Sequence, residues 1–141
     1  MATTSGATFD FTKFHLVIGA GFRVDAIDAA GVDVAWVGVA NVMTEGADNI
    51  SVRVRTGSTS ATITVNNMQS ARFIDYVSAW VDEGDSRPLT LVDGTGRTVL
   101  AEARAAPEQK PGMAFTNAHS PRVTRLLCPN LTGTVGGLLD G

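Results

Sequence analysis

Ala61-Thr-Ile-Thr-Val65 alternates in character, with Ile63 and Val65 on one face of a strand and Thr62 and Thr64 on the other. After Asn66 and Asn67 the period changes. Phe73, Ile74, Val77, Trp80 and Val81 recur at helical spacing and form one apolar stripe. Pro88-Leu-Thr-Leu-Val92 returns to strand, and Asp93-Gly-Thr-Gly96 turns it into Thr98-Val-Leu-Ala101. A single helix set between strands covers one face of a sheet or the mouth of a barrel. The expected fold is therefore mainly β, a β-sandwich or half-open barrel with one flanking α-helix over about residues 69–83. A domain plugged in this way leaves little room for a conventional active site.

The helix has recognisable ends. Asn66, Asn67 and Ser70 are each competent to cap its first turn, and Gly84 is placed to end it in a left-handed conformation. Asp82 and Glu83 oppose the macrodipole at that end. Either solvent covers them or they answer to a group outside the helix.

Working outward, the other segments read as short strands. Phe14–Ile18 is a first strand, closed by Gly19 and Gly21, and a turn is expected at Asp28-Ala-Ala-Gly31. Val32–Val39 is a second strand with Val32, Val34 and Trp36 on one side; Thr44–Asn49 is a loop and Ile50–Arg55 a third strand. Thr98–Ala106 puts the small residues Val99, Ala101, Ala103 and Ala105 on one face, Pro107–Gly112 breaks that strand, and Arg122–Cys128 is the last. The chain divides into an N-terminal arm at 1–12, a single β domain at 13–131 and a Gly-rich tail at 132–141.

At 141 residues the chain is long enough to bury a core without metal or disulfide. Only 18% of its residues are charged. That is low for a free-standing small protein and fits a surface covered by other subunits as well as it fits an uncharged monomer. The net charge of −3 speaks against a protein that grips nucleic acid through phosphates. Arg53 and Arg55 are the nearest approach to a basic patch, and on Ser51-Val-Arg-Val-Arg55 they occupy a solvated or ion-paired strand face.

Residue sets for chemistry are not found. Cys128 is the only cysteine, so no intrachain disulfide forms, and its apolar run Leu126-Leu-Cys-Pro129 suits a buried, inert thiol. His15 and His119 lack Cys or carboxylate neighbours at metal-ligand spacing. Gly94-Thr-Gly-Arg-Thr98 lacks the Lys-Ser/Thr ending of a phosphate loop, and Asp82, Glu83 and Asp85 lack the oxygen ladder of a calcium loop. No catalytic, cofactor or metal residues are assigned, and the chain is expected not to be an enzyme. The N-terminus lacks the basic start and apolar core of a signal peptide, and Leu16-Val-Ile18 is too short to cross a bilayer, so synthesis in a cytoplasm without membrane insertion is expected.

Thr62-Ile-Thr-Val65, the helix through Trp80, Leu89-Thr-Leu-Val-Asp93 with Gly94 and Gly96, Lys110-Pro111, Phe115 and the strand Arg122–Leu131 follow one another in an order that resembles small tail tube proteins of tailed bacteriophages. The resemblance spans about Ile50 to Leu131 and leans toward contractile tails. Such proteins are similar in fold to the tube protein of type VI secretion. The resemblance implies a structural virion protein: homohexameric rings, paired edge to edge and stacked helically, form a conduit for DNA ejection. It implies contacts with tail sheath, baseplate and terminator proteins, location in the virion tail, and DNA that passes without specific binding.

On that reading Ser51, Arg53, Arg55, Thr62 and Thr64 are candidates for the lumen or an inter-subunit contact, with the two arginines paired to carboxylates. Arg72, Asp75, Asp82 and Glu83 are candidates for the outer face, and residues 1–12 and Thr44–Asn49 for ring stacking. Two alternatives stand beside it. One is another virion ring subunit, such as a tail terminator or a baseplate or neck protein. The other is a small β-barrel binding module or enzyme with a pocket lined by Trp36 and Trp80.

Overall fold

The computed structural model describes residues 13–38, 40–45, 51–55, 59–93 and 97–136. Ten strands and one helix follow in chain order: β1 His15–Ile18, β2 Phe22–Arg23, β3 Ile27–Trp36, β4 Asn41–Glu45, β5 Ser51–Arg55, β6 Ala61–Asn67, α1 Arg72–Glu83, β7 Arg87–Val92, β8 Val99–Pro107, β9 Arg122–Cys128 and β10 Thr132–Thr134. Eight strands form one antiparallel sheet in the order β2-β1-β7-β8-β9-β6-β3, with β10 also on β8; among the described residues β4 and β5 pair only with each other.

The sheet folds over on itself at β8. The first part of β8 pairs with β7 on one side and β10 on the other, whereas its last residues, Ala106 and Pro107, pair with Leu127 and Leu126 of β9. Leu16, Ile18, Leu89, Leu91 and Leu100 from one half then face Ile63, Val65, Leu126 and Cys128 from the other. Phe73, Val77 and Trp80 of α1 complete this core. β2 and β3, the two ends of the order, do not pair, so the barrel is half open. The expected mainly β fold with one flanking helix is the fold observed.

The helix start differs from expectation. α1 begins at Arg72 rather than near residue 69, and the residue before it, Ala71, offers no side-chain cap. Asn66, Asn67 and Ser70 are not the cap. The carboxylate of Asp25 is: it accepts from the Arg72 and Phe73 amides, both at 3.1 Å. Asn67 instead ends β6 and donates from Nδ2 to the Asp25 carbonyl at 2.8 Å, which fixes the corner that aims the cap. Ala26 next to it has φ of 45°, a left-handed conformation unfavourable for a residue with a Cβ, held by the Met68 amide donating to its carbonyl at 2.8 Å. At the other end Gly84 has φ of 71° and its amide donates to Trp80 O, the helix stop read from the sequence.

The turn expected at Asp28–Gly31 is a bulge inside β3. Ile27 faces Asn67 and Val32 faces Val65, so residues 28–31 stand opposite Asn66 alone. The turn chemistry is real but local: Asp28 accepts from the Ala30 amide at 3.1 Å, and Asn66 Nδ2 donates to Gly31 O at 3.0 Å. The small-residue face expected along β8 is also interrupted. Leu89 faces Glu102 and Arg87 faces Ala105, which leaves one extra residue in β8. Val99, Ala101 and Ala103 point outward, while Ala105 is buried. At the C-terminal side, Thr132–Thr134 belongs to the sheet rather than to a tail beginning at 132. Residues 1–12 and 46–50 lie outside the described residues, and Thr44 and Glu45, expected in a loop, end β4.

Candidate functional site

The sheet exposes one long edge. β3 pairs with β6 through Val32↔Val65, Val34↔Ile63 and Trp36↔Ala61, and no second strand among the described residues pairs with it. The Val37 amide donates to Ser60 O at 2.9 Å, so Val37 is directed toward β6. Antiparallel strands alternate the direction of their backbone groups residue by residue. Hence Val32, Val34 and Trp36 direct N–H and C=O outward, a template for a further strand.

Thr62 and Thr64 lie half-buried on the outer face of β6, between Ala35 and Leu127 and between Asp33 and Arg125 respectively. Ser51, Arg53 and Arg55 lie on β5, in the separate β4–β5 ribbon, with Arg53 exposed. These five candidates therefore occupy two sheets rather than one strand face. Arg72, Asp75, Asp82 and Glu83 are all exposed on α1. Asp82 pairs with Lys110 at 3.1 Å, and Glu83 pairs with Arg87, so both carboxylates do answer to groups outside the helix.

Arg87 gathers the ground between α1 and β7. It pairs with Asp85 at 3.0 Å as well as Glu83, and its guanidinium lies over the rings of Tyr76 and Trp80 at 5.0 and 5.3 Å. Burial works against its charge, but hydrogen bonds to Asp85 and Tyr76 outweigh burial and hold it more firmly protonated than usual. Trp80 is fully buried and donates to Asp85 O at 2.8 Å; Trp36 is half exposed at the end of β3. Trp80 is therefore core, and no shared tryptophan pocket forms.

Glu102, buried where β8 carries its extra residue, accepts from the Arg104 amide at 2.9 Å and from the Asn130 amide. It locks the irregular part of β8 to the turn before β10. Burial first, and the Glu102 charge second, push the nearby Cys128 thiol up to about 12. A thiol so placed is not a nucleophile at neutral pH. Asp28 accepts from the Ala30 amide and contacts His119 at 3.1 Å, and both hold its carboxyl below the usual value. Among the described residues no His, Cys, Asp and Glu come together in a group able to hold a metal, and no helix is long and apolar enough to cross a membrane.

No family model and no curated protein matches this chain. Solved structures do match it in shape. The anti-feeding prophage cap, a tube terminating cap, superposes over 96% of this chain and 97% of its own, with a TM-score of 0.60 and 12% identity. A chain of the PVC sheath-tube complex from an extracellular contractile injection system, in its extended state, covers 91% and 93% at TM-score 0.57 and 11% identity. A chain of the PVC sheath/tube terminator covers 89% and 95% at 0.56 and 11%. The chain has the fold of these injection-machine subunits. The likeness to a tube cap runs over nearly the whole chain, so residues 13–38, which the sequence resemblance did not reach, belong to the same fold.

Sequence reasoning missed Asp25 and Glu102, because each acts on a backbone far along the chain or out of register. The open edge of β3 was missed too, since strand order is not written in a strand's own residues.

Proposed function

We propose that this chain is a structural ring subunit of a phage-like contractile tail, with rings of six stacked helically into the tube through which DNA is ejected. The observation that carries the reading is the unpaired edge of β3 in a fold shared over 96% of the chain with a tube cap. An open edge such as the regularly paired stretch Val32–Trp36 of β3 is an aggregation hazard in a monomer and a pairing surface in a closed ring. The low charge fits a subunit covered on most sides, and the net −3 suits a channel that does not hold DNA. Thr62 and Thr64, with Ser51, Arg53 and Arg55, remain the candidate lumen or inter-subunit residues. Arg72, Asp75, Asp82 and Glu83 are proposed to face a sheath. Residues 1–12 and 44–49 are proposed to stack rings, and sheath, baseplate and terminator proteins are the expected partners. The working location is the virion tail, with no catalysis of the subunit's own.

A second reading has its own support. Two of the similar structures are described as a tube terminating cap and a sheath/tube terminator, so a terminator subunit fits the same fold. Negative-stain microscopy of the purified protein separates the readings. Long hollow rods identify the tube subunit, isolated rings the terminator, and a uniform monomer population at high concentration overturns both.

A further inference from the structure

Resting on the ring-subunit reading, we propose that Phe115 of one copy docks into an apolar groove of the next copy, with its ring clamped between two arginines. Phe115 is 84% exposed and Met113 beside it 55%, in the stretch between β8 and β9. Met113, Ala114 and Phe115 form an apolar knob at the start of the uncharged run Met113-Ala-Phe-Thr-Asn-Ala118. The knob is tethered rather than loose: Gly112 bridges Val123, and His119 contacts Asp28 at 3.1 Å. One face of the Phe115 ring is already taken by the Arg122 guanidinium, 5.5 Å from its centre.

The groove lies at the opposite end of the same half-sheet. Val37, Ala61, Ala106, Leu127 and Pro129 line it with Arg104. Val37 is 67% and Leu127 40% exposed there, so an apolar surface is offered to solvent. The Arg104 side chain has no partner among the described residues. An unpaired guanidinium at an apolar rim matches the second, open face of the Phe115 ring. The second copy is thus the occupant whose chemistry the chain itself supplies.

Knob and groove cannot meet within one chain. Val123, beside the knob, and Cys128, beside the groove, stand five residues apart along β9, about 16 Å at strand rise. The contact is therefore head to tail. Repeated, it closes a ring or propagates a stack, which is the kind of assembly the fold calls for.

The test uses the full chain and disulfide trapping. Ala114→Cys, next to the retained Phe115, and Val37→Cys are made separately, both at exposed positions; the native Cys128 is buried and does not compete. The two proteins are mixed under assembling conditions and oxidised. The inference expects covalent pairs in the mixture at least tenfold above either variant alone. Phe115→Ser is expected to reduce assembly about tenfold or more, and Arg104→Glu to reduce it less, each with an unchanged circular dichroism spectrum. Rings or rods that form without the mixed disulfide overturn this contact and leave the ring reading intact. Absence of both assembly and cross-link in wild type and variants overturns the contact and the ring reading together.

Discussion

Asp25 ties three segments together with one side chain. Its two oxygens cap α1, and its own carbonyl receives Asn67 at the end of β6. Asp25→Ala leaves two helix amides without partners and should cost about 1–2 kcal/mol, read as a lower urea midpoint. Asp25→Asn, which keeps one good acceptor, should lose less. Nothing near residue 72 announces this cap, because it arrives from 47 residues away. The competent Asn and Ser residues beside the helix were plausible locally and lost to a tertiary contact. Cys128 shows the opposite case, a residue whose apolar run already described its surroundings. With its thiol pushed up to about 12, iodoacetamide at pH 8 should leave the folded protein unmodified. In guanidinium the same reagent should label it fully. Rapid labelling of the folded protein would contradict the burial described here.

Elements built on a clean period were legible, and elements that break it were not. The stripe Phe73, Val77 and Trp80 is the buried face of α1, and Ile63 with Val65 is the buried face of β6. In β8 the alternation Val99, Ala101, Ala103 continues in sequence to Ala105, yet the structure turns Ala105 inward. Alanine fits either face, so its pattern does not report a slip of one residue. Glu102 is what holds the slip in place, since its buried carboxylate accepts from the Arg104 amide within it and from the Asn130 amide in the turn before β10. Glu102→Ala should strand both amides and lower stability by about 3 kcal/mol in urea unfolding. It should also lower the pH at which Cys128 becomes reactive, because the nearby negative charge is gone. Gly133 works at the same junction. Its φ is 134°, and a Cβ there would stand 2.0 Å from Val99 O. Gly133→Ala should therefore detach β10 from β8, seen as faster amide exchange at Val99 and Ala101 while β6 and β9 stay protected.

At the scale of the whole molecule, the sequence told that Thr62 and Thr64 face away from the core, but only strand order shows what lies beside them. β6 is interior to the sheet, flanked by β3 and β9, so its backbone groups are already taken. The surface proposed for pairing between subunits is the outer edge of β3, which ends the strand order. Val34 sits in the middle of that edge, directs its amide outward and half-buries its side chain against Ile63. Val34→Pro removes an outward donor and places a ring where a neighbouring strand would pair, a substitution that edge strands tolerate. Val34→Ala loses comparable side-chain packing and keeps the amide. Both variants should fold with a similar, modest loss of about 1 kcal/mol from the missing methyl groups. Only the proline variant should fail to form rings or rods in negative-stain images. If the alanine variant fails equally, packing near Val34 governs assembly rather than the strand edge. If the proline variant assembles as wild type does, the rings do not join through β3. The pair of variants thus separates the stability of the subunit from the hydrogen-bonding edge through which subunits are proposed to join.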